Sequence, residues 1–222
     1  MSHIPKTAEL IDPSHTLAAP LLLRCEYAWQ ALPKLSDFIR ELSGSLSKDE
    51  YESPTDGVFI SKGACVAPTA LILAPCIIGK GAQIRHGAYI RGSAIIGDGA
   101  VIGNSTEIKN SIVCDGAALP HYNYVGDSVI GYRAHLGAGA IISNLRSDRG
   151  EVFVRCGGES VASGLRKFGA IVGDRCEIGC GAVLNPGCIV GRDSQVYPLV
   201  SLRGVIAAGH IVKSERVSVK RT

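Results

Sequence analysis

The chain has 222 residues, 46% of them apolar, and a net charge of +3. An apolar fraction of that size supports a packed core and excludes disorder, while so mild a charge, with no basic run interleaved with aromatics, excludes a nucleic-acid binder. Aromatics supply only 5% and glycine 27 residues, a balance that favours many tight turns around small and β-branched residues.

The opening "MSHIPKTAELIDPSH" holds no apolar run of signal-peptide length. No stretch approaches the roughly 18 apolar residues of a membrane span, so a soluble, cytoplasmic protein is expected. Leu35, Phe38, Ile39 and Leu42 fall at helical spacing, with Ser36 as the candidate N-cap, and Pro33 separates them from a second helical stretch around "YAWQAL". Residues 1–56 therefore read as a helical arm that packs on the rest of the chain or on a neighbouring subunit. The arm is too short for a catalytic domain and lacks a Gly-rich phosphate-cradling motif.

From Ile60 an apolar residue recurs at every sixth position: Ile60, Val66, Ile72, Ile78, Ile84, Ile90, Ile96, Ile102, Ile108 and Cys114. Four residues beyond each lies a second, mostly small residue, including Ala64, Ala70, Cys76, Ala82, Ala88, Ala94 and Ala100. A period of six does not fit an α-helix, and "IGDGAVIG" is rich in helix-breaking glycine. It is the signature of a parallel β-helix, in which each hexapeptide makes a strand and a turn and three of them close one triangular coil. The large residue fills the inside and the small one sits at the bend. Coils stack at the inter-strand spacing of about 4.8 Å.

The count next resumes at Tyr124, Ile130, Leu136 and Ile142, ten residues after Cys114 rather than six. The four extra residues are expected to bulge outward within "AALPHYNY", carrying His121. Residues 143–171 lose the period and read as a long excursion, a form that on a regular scaffold is often functional. Val172, Ile178, Leu184, Val190 and Val196 restore the ladder, which fades after Leu202. The expected division is a helical arm at 1–56, a β-helix at 57–205 and a C-terminal tail at 206–222.

Residues eighteen apart in an unbroken stretch stack on adjacent coils, so Arg91 and Lys109, each following a core isoleucine, should stand in one outward column. Stacked cations beside a histidine-bearing bulge suit a sugar phosphate, arginine as a bidentate fork and lysine as a point charge. An imidazole has the unperturbed pKa for proton abstraction near neutrality, which makes His121 the candidate base. None of the eight cysteines forms a CxxC pair and several fall on core positions, the pattern of buried free thiols in a reducing compartment rather than disulfides or zinc.

The segment "RGSAIIGDGAVIGNSTEIKNSIVCDGAALPHYNYVGDSVIGYRAHLGAGAIISNL" resembles the β-helix domain of bifunctional sugar-1-phosphate nucleotidyltransferase/glucosamine-1-phosphate acetyltransferases, which make UDP-N-acetylglucosamine. The likeness is specific over Arg91 to Leu145 and weaker through "SGLRKFGAIVGDRCEIGCGAVLNPG". "YAWQAL" is similar to the arm preceding that domain. The resemblance implies a left-handed β-helix, a homotrimer, and acetyl-CoA as co-substrate in the groove between subunits, with no metal required. It places the catalytic base on His121, the sugar-phosphate ligands on Arg91, Lys109, Tyr124 and Asn144, and a backbone contact to the cofactor at Ala138. His135 replaces an asparagine in the sugar site, and the expected lysine after Asn144 is missing, with Arg146 and Arg149 nearby and Lys167 farther on. With no nucleotidyltransferase domain, the chain is expected not to activate sugars with UTP.

The expected activity is acetyl transfer to the amine of an amino-sugar phosphate, glucosamine-1-phosphate or a close relative. Two alternatives stand beside it: an inactive trimeric scaffold or accessory subunit of a separate nucleotidyltransferase, and a γ-type carbonic anhydrase. The last needs a close HxxxxH pair, whereas His86, His121 and His135 are widely spaced.

Overall fold

The computed structural model describes residues 3–214 and 217–220. Short parallel strands stack into three sheets, each collecting every third strand of the repeat. Face A runs from Val58–Ser61 to Val205–Ile206, face B from Cys65–Val66 to His210–Ser214, and face C from Leu71–Ile72 to Ser201–Leu202. The architecture is mainly β, a left-handed parallel β-helix carrying an N-terminal helical arm. Both ends of the ladder are closed by antiparallel pairing, Tyr51–Thr55 on face A and Val217–Lys220 on face B. Each end strand covers part of an otherwise open sheet edge.

The sixfold count survives at two of the three edges of the triangle. Between faces A and B, and between faces B and C, successive inward residues keep six-residue steps in every coil, as in Ile78, Ile84, Ile90 and again in Val113, Leu119, Val125. All the irregularity falls at the edge between faces C and A. The step there is five residues from Ile108 to Val113 and from Val125 to Ile130, and the whole excursion separates Ile142 from Val172. In the last coil it is four, from Leu202 to Ile206. The ten-residue gap is thus two shortened corners rather than an outward bulge. Leu119 and Val125 point into the core, while Cys114 and Tyr124 face out. Asn110 and Asp127 turn these tight corners at φ of 46° and 48°, a left-handed conformation that Asn and Asp tolerate better than other side chains.

The A–B edge is stapled by aspartates. Asp98, Asp115 and Asp174 each accept, through Oδ1, the backbone N–H of Lys80, Asp98 and Tyr132 on the preceding coil at 2.7–2.9 Å. The glycine before each capped residue makes room, since a Cβ on Gly79, Gly97 or Gly131 would lie 2.4–2.7 Å from atoms of the capping aspartate. An aspartate two residues beyond an inward residue of face A, as at Asp98, Asp115 and Asp174, is the sequence mark of this staple.

Face A is apolar on both sides. Ile77, Ile95, Ile112, Val129, Ile171 and Ile189 point outward and are fully buried, because the helical arm and the excursion lie over them. The arm packs Trp29, Leu35 and Ile39 onto this face, and Trp29 meets Phe168 of the excursion with ring centroids 5.6 Å apart. Helix Leu35–Ser43 starts without the expected cap. Lys34 holds the N-cap position and Ser36 lies in the first turn, accepting from Arg40 instead. The "YAWQAL" stretch is a 3-10 helix, Ala28–Lys34, that contains Pro33 near its end.

Three boundaries differ from expectation. Helical structure in the arm ends at Ser43 and the first strand begins at Tyr51, short of residue 57. Residues 206–222 do not simply trail off, for His210–Ser214 pairs in parallel with Gln195–Val196 and Val212 joins the core. The excursion is not a bare loop, for Phe153–Cys156 and Glu159–Ala162 form a hairpin whose Val152 and Val154 are buried with the arm.

Candidate functional site

Two adjoining parts of the solenoid carry the candidate residues. The first is the B–C edge. Strands Val101–Asn104 and Ala118–His121 are longer than most and run in register to His121 opposite Asn104. Their close approach requires Gly103, where a Cβ would fall 1.7 Å from the Pro120 carbonyl oxygen. His121 therefore sits at a corner of a regular coil, exposed, and its ring makes no hydrogen bond within the described residues. A backbone ladder continues upward: Gly139 N–H donates to the His121 carbonyl, Gly181 to Ala138, and Leu199 to Cys180, each at 2.9–3.0 Å. His121 and Ala138 are thus corner residues of successive coils, and the Ala138 N–H donates to no group among the described residues. Tyr122 and Leu199 line the same edge and are 64% and 83% exposed, an open apolar margin.

Asn123 braces this corner from inside. It occupies an inward slot held by alanine in most coils and is 2% exposed. Its Oδ1 accepts the His121 N–H at 3.3 Å, and its Nδ2 donates to the carbonyls of Gly137 and Ala140 at 2.8 and 3.3 Å. One buried amide so ties the backbone of His121 to the coil that bears Ala138. A polar residue in an alanine slot was a signal in the sequence, hidden by the miscounted period.

The second part is face C and its edge with face A. Arg91 and Lys109 stack as expected, one residue beyond the paired Ile90 and Ile108. They are not bare cations. Arg91 donates to Glu107 Oε1 at 2.8 Å, and its guanidinium lies 6.0 Å from the centre of the Tyr89 ring. Lys109 Nζ lies 3.0 and 3.1 Å from the two carboxylate oxygens of Asp127. Asp127 also accepts from Asn110 Nδ2 at 2.8 Å and from Asn144 Nδ2. With its side chain 5% exposed, Asp127 is the buried hub of the cluster, and Lys109 is 24% exposed above it. Tyr124 reaches across Gly126 toward Asn144, and a Cβ at 126 would strike Asn144 Nδ2 at 2.5 Å and the Tyr124 hydroxyl at 2.8 Å. Burial, reinforced by the charges of Glu107 and Asp127, holds the Tyr124 hydroxyl above its ordinary pKa, so it stays protonated.

Arg91, Lys109, Tyr124 and Asn144 are therefore brought together, while His121 and Ala138 meet on the neighbouring edge. His135 stands apart on face B, its Nδ1 2.8 Å from Glu177 Oε2. Three residues were missed from the sequence: Glu107, which meets Arg91 diagonally from sixteen residues away; Asp127, which lies eighteen beyond Lys109 but at a corner without hydrophobic signal; and Asn123, which occupies an inward slot. Among the described residues no group of three or more His, Cys, Asp and Glu could hold a metal ion. No helix there is long and apolar enough to cross a membrane.

A hexapeptide-repeat β-helix with a polar cluster on one face and an exposed imidazole at the next edge defines the class. A family model described as the GMPPB C-terminal domain matches residues 72–164. The bifunctional protein GlmU of Methanococcus maripaludis is 34% identical over 172 residues, covering 77% of this chain and 42% of that protein. The bifunctional sugar-1-phosphate nucleotidylyltransferase/acetyltransferase of Sulfurisphaera tokodaii is 37% identical over 105 residues, 47% of this chain and 26% of that protein. The chain is a relative of the β-helical acetyltransferase domain of these bifunctional proteins, and its matches span less than half their length. Among solved structures, perosamine N-acetyltransferase from Caulobacter crescentus, in complex with CoA and GDP-perosamine, aligns at 19% identity and a TM-score of 0.37, over 80% of this chain and 61% of that one.

Proposed function

We propose that the chain is an acetyl-CoA-dependent N-acetyltransferase acting on an amino-sugar phosphate, glucosamine-1-phosphate or a close relative. The observation that carries this reading is the vertical pairing of His121, exposed with both ring nitrogens uncommitted, with the free N–H of Ala138 on the next coil. In the reaction, His121 takes the proton from the sugar amine as its nitrogen attacks the thioester carbonyl. The C–N bond forms, and the Ala138 N–H is available to the developing oxyanion. The C–S bond then breaks, and the thiolate of CoA leaves to be protonated. The open margin of Tyr122 and Leu199 suits the apolar arm of acetyl-CoA. Arg91, Lys109, Tyr124 and Asn144 are assigned to the phosphate and hydroxyls of the acceptor. Faces B and C, which the arm leaves uncovered, are the surfaces for a homotrimer.

The ion pairs at Arg91 and Lys109 favour one competing reading, a β-helix acting as scaffold or accessory subunit of a nucleotidyltransferase, because a phosphate must displace or share carboxylate partners. Release of thiol from acetyl-CoA on addition of amino-sugar phosphates separates the two. Turnover that His121→Ala abolishes without altering the oligomer supports the enzyme; no turnover across the panel, or full activity in that variant, refutes it.

A further inference from the structure

A cavity of about 400 Å³ lies between the excursion and the C–A edge, lined among others by Ser143, Arg146, Asp148, Arg155, Asn185 and Arg203. Three of these continue the Arg91–Lys109 column: Ser143, Asn185 and Arg203 each follow an inward residue of face C, Ile142, Leu184 and Leu202, which stack in register. Arg155 arrives from the hairpin, whose backbone is pressed against the corner of the last coils. A Cβ on Gly204 would lie 3.0 Å from the Arg155 carbonyl, and one on Gly187 would lie 2.7 Å from the Phe153 carbonyl. That backbone contact fixes Arg155 beside Arg203.

The charges in the cavity do not balance. Its one lining carboxylate, Asp148, is already engaged by Arg146 and by the Gly150 N–H. The side chains of Arg155 and Arg203 make no hydrogen bond or ion pair within the described residues, so two arginines line one space without a carboxylate partner. Like charges held together by backbone packing lower the cost of bringing in an anion, and planar guanidinium forks match the oxygens of a phosphoryl group.

We propose that this cavity is a second anion site, which holds a phosphoryl group of an organic phosphate or diphosphate on Arg155 and Arg203, with Arg146 at its rim. It is separate from the Asp127 cluster and does not depend on acyl transfer. The probe is inorganic pyrophosphate, titrated calorimetrically into the full chain in chloride buffer, with sulfate at matched ionic strength for comparison. Saturable binding of pyrophosphate is expected. It should weaken by about tenfold or more in Arg155→Ala/Arg203→Ala, weaken less in Arg155→Lys/Arg203→Lys, and persist in Lys109→Ala. Both arginines are exposed, and an unchanged melting temperature checks that the variants fold. Absence of saturable binding, an affinity unchanged in the double alanine variant, binding lost with Lys109→Ala, or equal affinity for sulfate overturns the proposal. Because no acyl donor enters the titration, its failure is distinct from failure of the acetyltransferase reading.

Discussion

Replacing Asp127 with alanine tests the construction of the polar cluster most directly. The carboxylate is buried, and its removal leaves the Lys109 ammonium and the amides of Asn110 and Asn144 without their shared acceptor. Breaking a buried ion pair from one side costs roughly 3–5 kcal/mol. Lys109 is still about a quarter exposed and can turn to water, which places the electrostatic loss at the low end. Alanine must also adopt the left-handed φ of 48°, adding about 1 kcal/mol. The expected total is about 4 kcal/mol, or on the order of 10 °C in melting temperature for a chain of this size. Asp127→Asn keeps the turn conformation and one acceptor oxygen while losing the charge, so it should fall about midway. Urea unfolding at fixed protein concentration measures both, and a cycle with Lys109→Met isolates the pair. A change below about 0.5 kcal/mol for Asp127→Ala, or no coupling to Lys109, would show that the hub does not hold the corner.

Gly126→Ala should disturb the same cluster sterically, driving Asn144 and Tyr124 apart and raising KM for the acceptor more than it lowers kcat. Steady-state kinetics at saturating acetyl-CoA read this, and an unchanged KM would exclude those side chains from acceptor binding. Trp29→Ala, at the join of arm, excursion and face A, should cost about 3–5 kcal/mol in chemical denaturation; a cost under about 1 kcal/mol would mean the arm contributes little to the fold. Burial raises the carboxyl of Asp174 above its ordinary value near 3.8, although it accepts the Tyr132 and Asp12 N–H groups and lies in an ion pair with Arg192. The native state therefore takes up this proton before the unfolded chain does. Wild-type stability should gain on that of Asp174→Asn as pH falls through the raised value and level off below about 3.8, and a difference moving the opposite way contradicts the assignment. Burial pushes the Cys176 thiol up to about 12 and raises Cys76, Cys114 and Cys188 as well, whereas Cys65 and Cys180 are exposed. Brief alkylation at neutral pH followed by mass spectrometry should mark Cys65 and Cys180 and spare the other four until the chain unfolds; early labelling of Cys114 would show that the arm does not stay on face A.

The repeat was legible because one inward residue per side is a hard steric requirement, and it predicted the core wherever the side kept six residues. It misplaced Cys114 and Tyr124 because the shortening happens at corners, where residues 109–111 and 126–128 give no hydrophobic signal, and because an outward tyrosine six residues before Ile130 looks like a core residue in a sixfold count. The covering of face A was also readable. Its strands place two large apolar residues side by side in coil after coil, as in Ile77-Ile78, Ile95-Ile96, Val129-Ile130 and Ile189-Val190, whereas faces B and C mix such pairs, as in Ile141-Ile142 and Val183-Leu184, with polar outward residues at Gln83, Glu107, Glu177 and Ser201. A strand apolar on both sides must be covered on both. The stacking of Arg91 on Lys109 followed from the eighteen-residue rule. The partner of Arg91 did not, since Glu107 reaches it diagonally from sixteen residues away, whereas Lys109 and Asp127 are themselves eighteen apart.

The edges of the triangle divide their labour for a physical reason. At the A–B edge each aspartate spans two coils, so an inserted residue would break a staple on each side. At the B–C edge the corner carbonyls form a continuous ladder through His121 and Ala138, and a change in length would move the imidazole relative to the N–H above it. The C–A edge is also linked from coil to coil, by Asn110 N–H to the Gly92 carbonyl, Asp127 to Lys109, Gly169 to Asp127 and Gly187 to Gly169 at 2.8–3.1 Å, yet there the chain shortens twice, leaves the coil for the whole excursion, and shortens again in the last coil. The candidate acceptor cluster and the arginine cavity both lie along that edge. Under the proposed activity, the groups that perform acyl transfer stand on an edge of constant step length, and those that recognise the acceptor stand on the edge whose step length changes. A relative with a different acceptor should therefore differ in the length and charge of this one edge while keeping the six-residue steps that set His121 beneath Ala138.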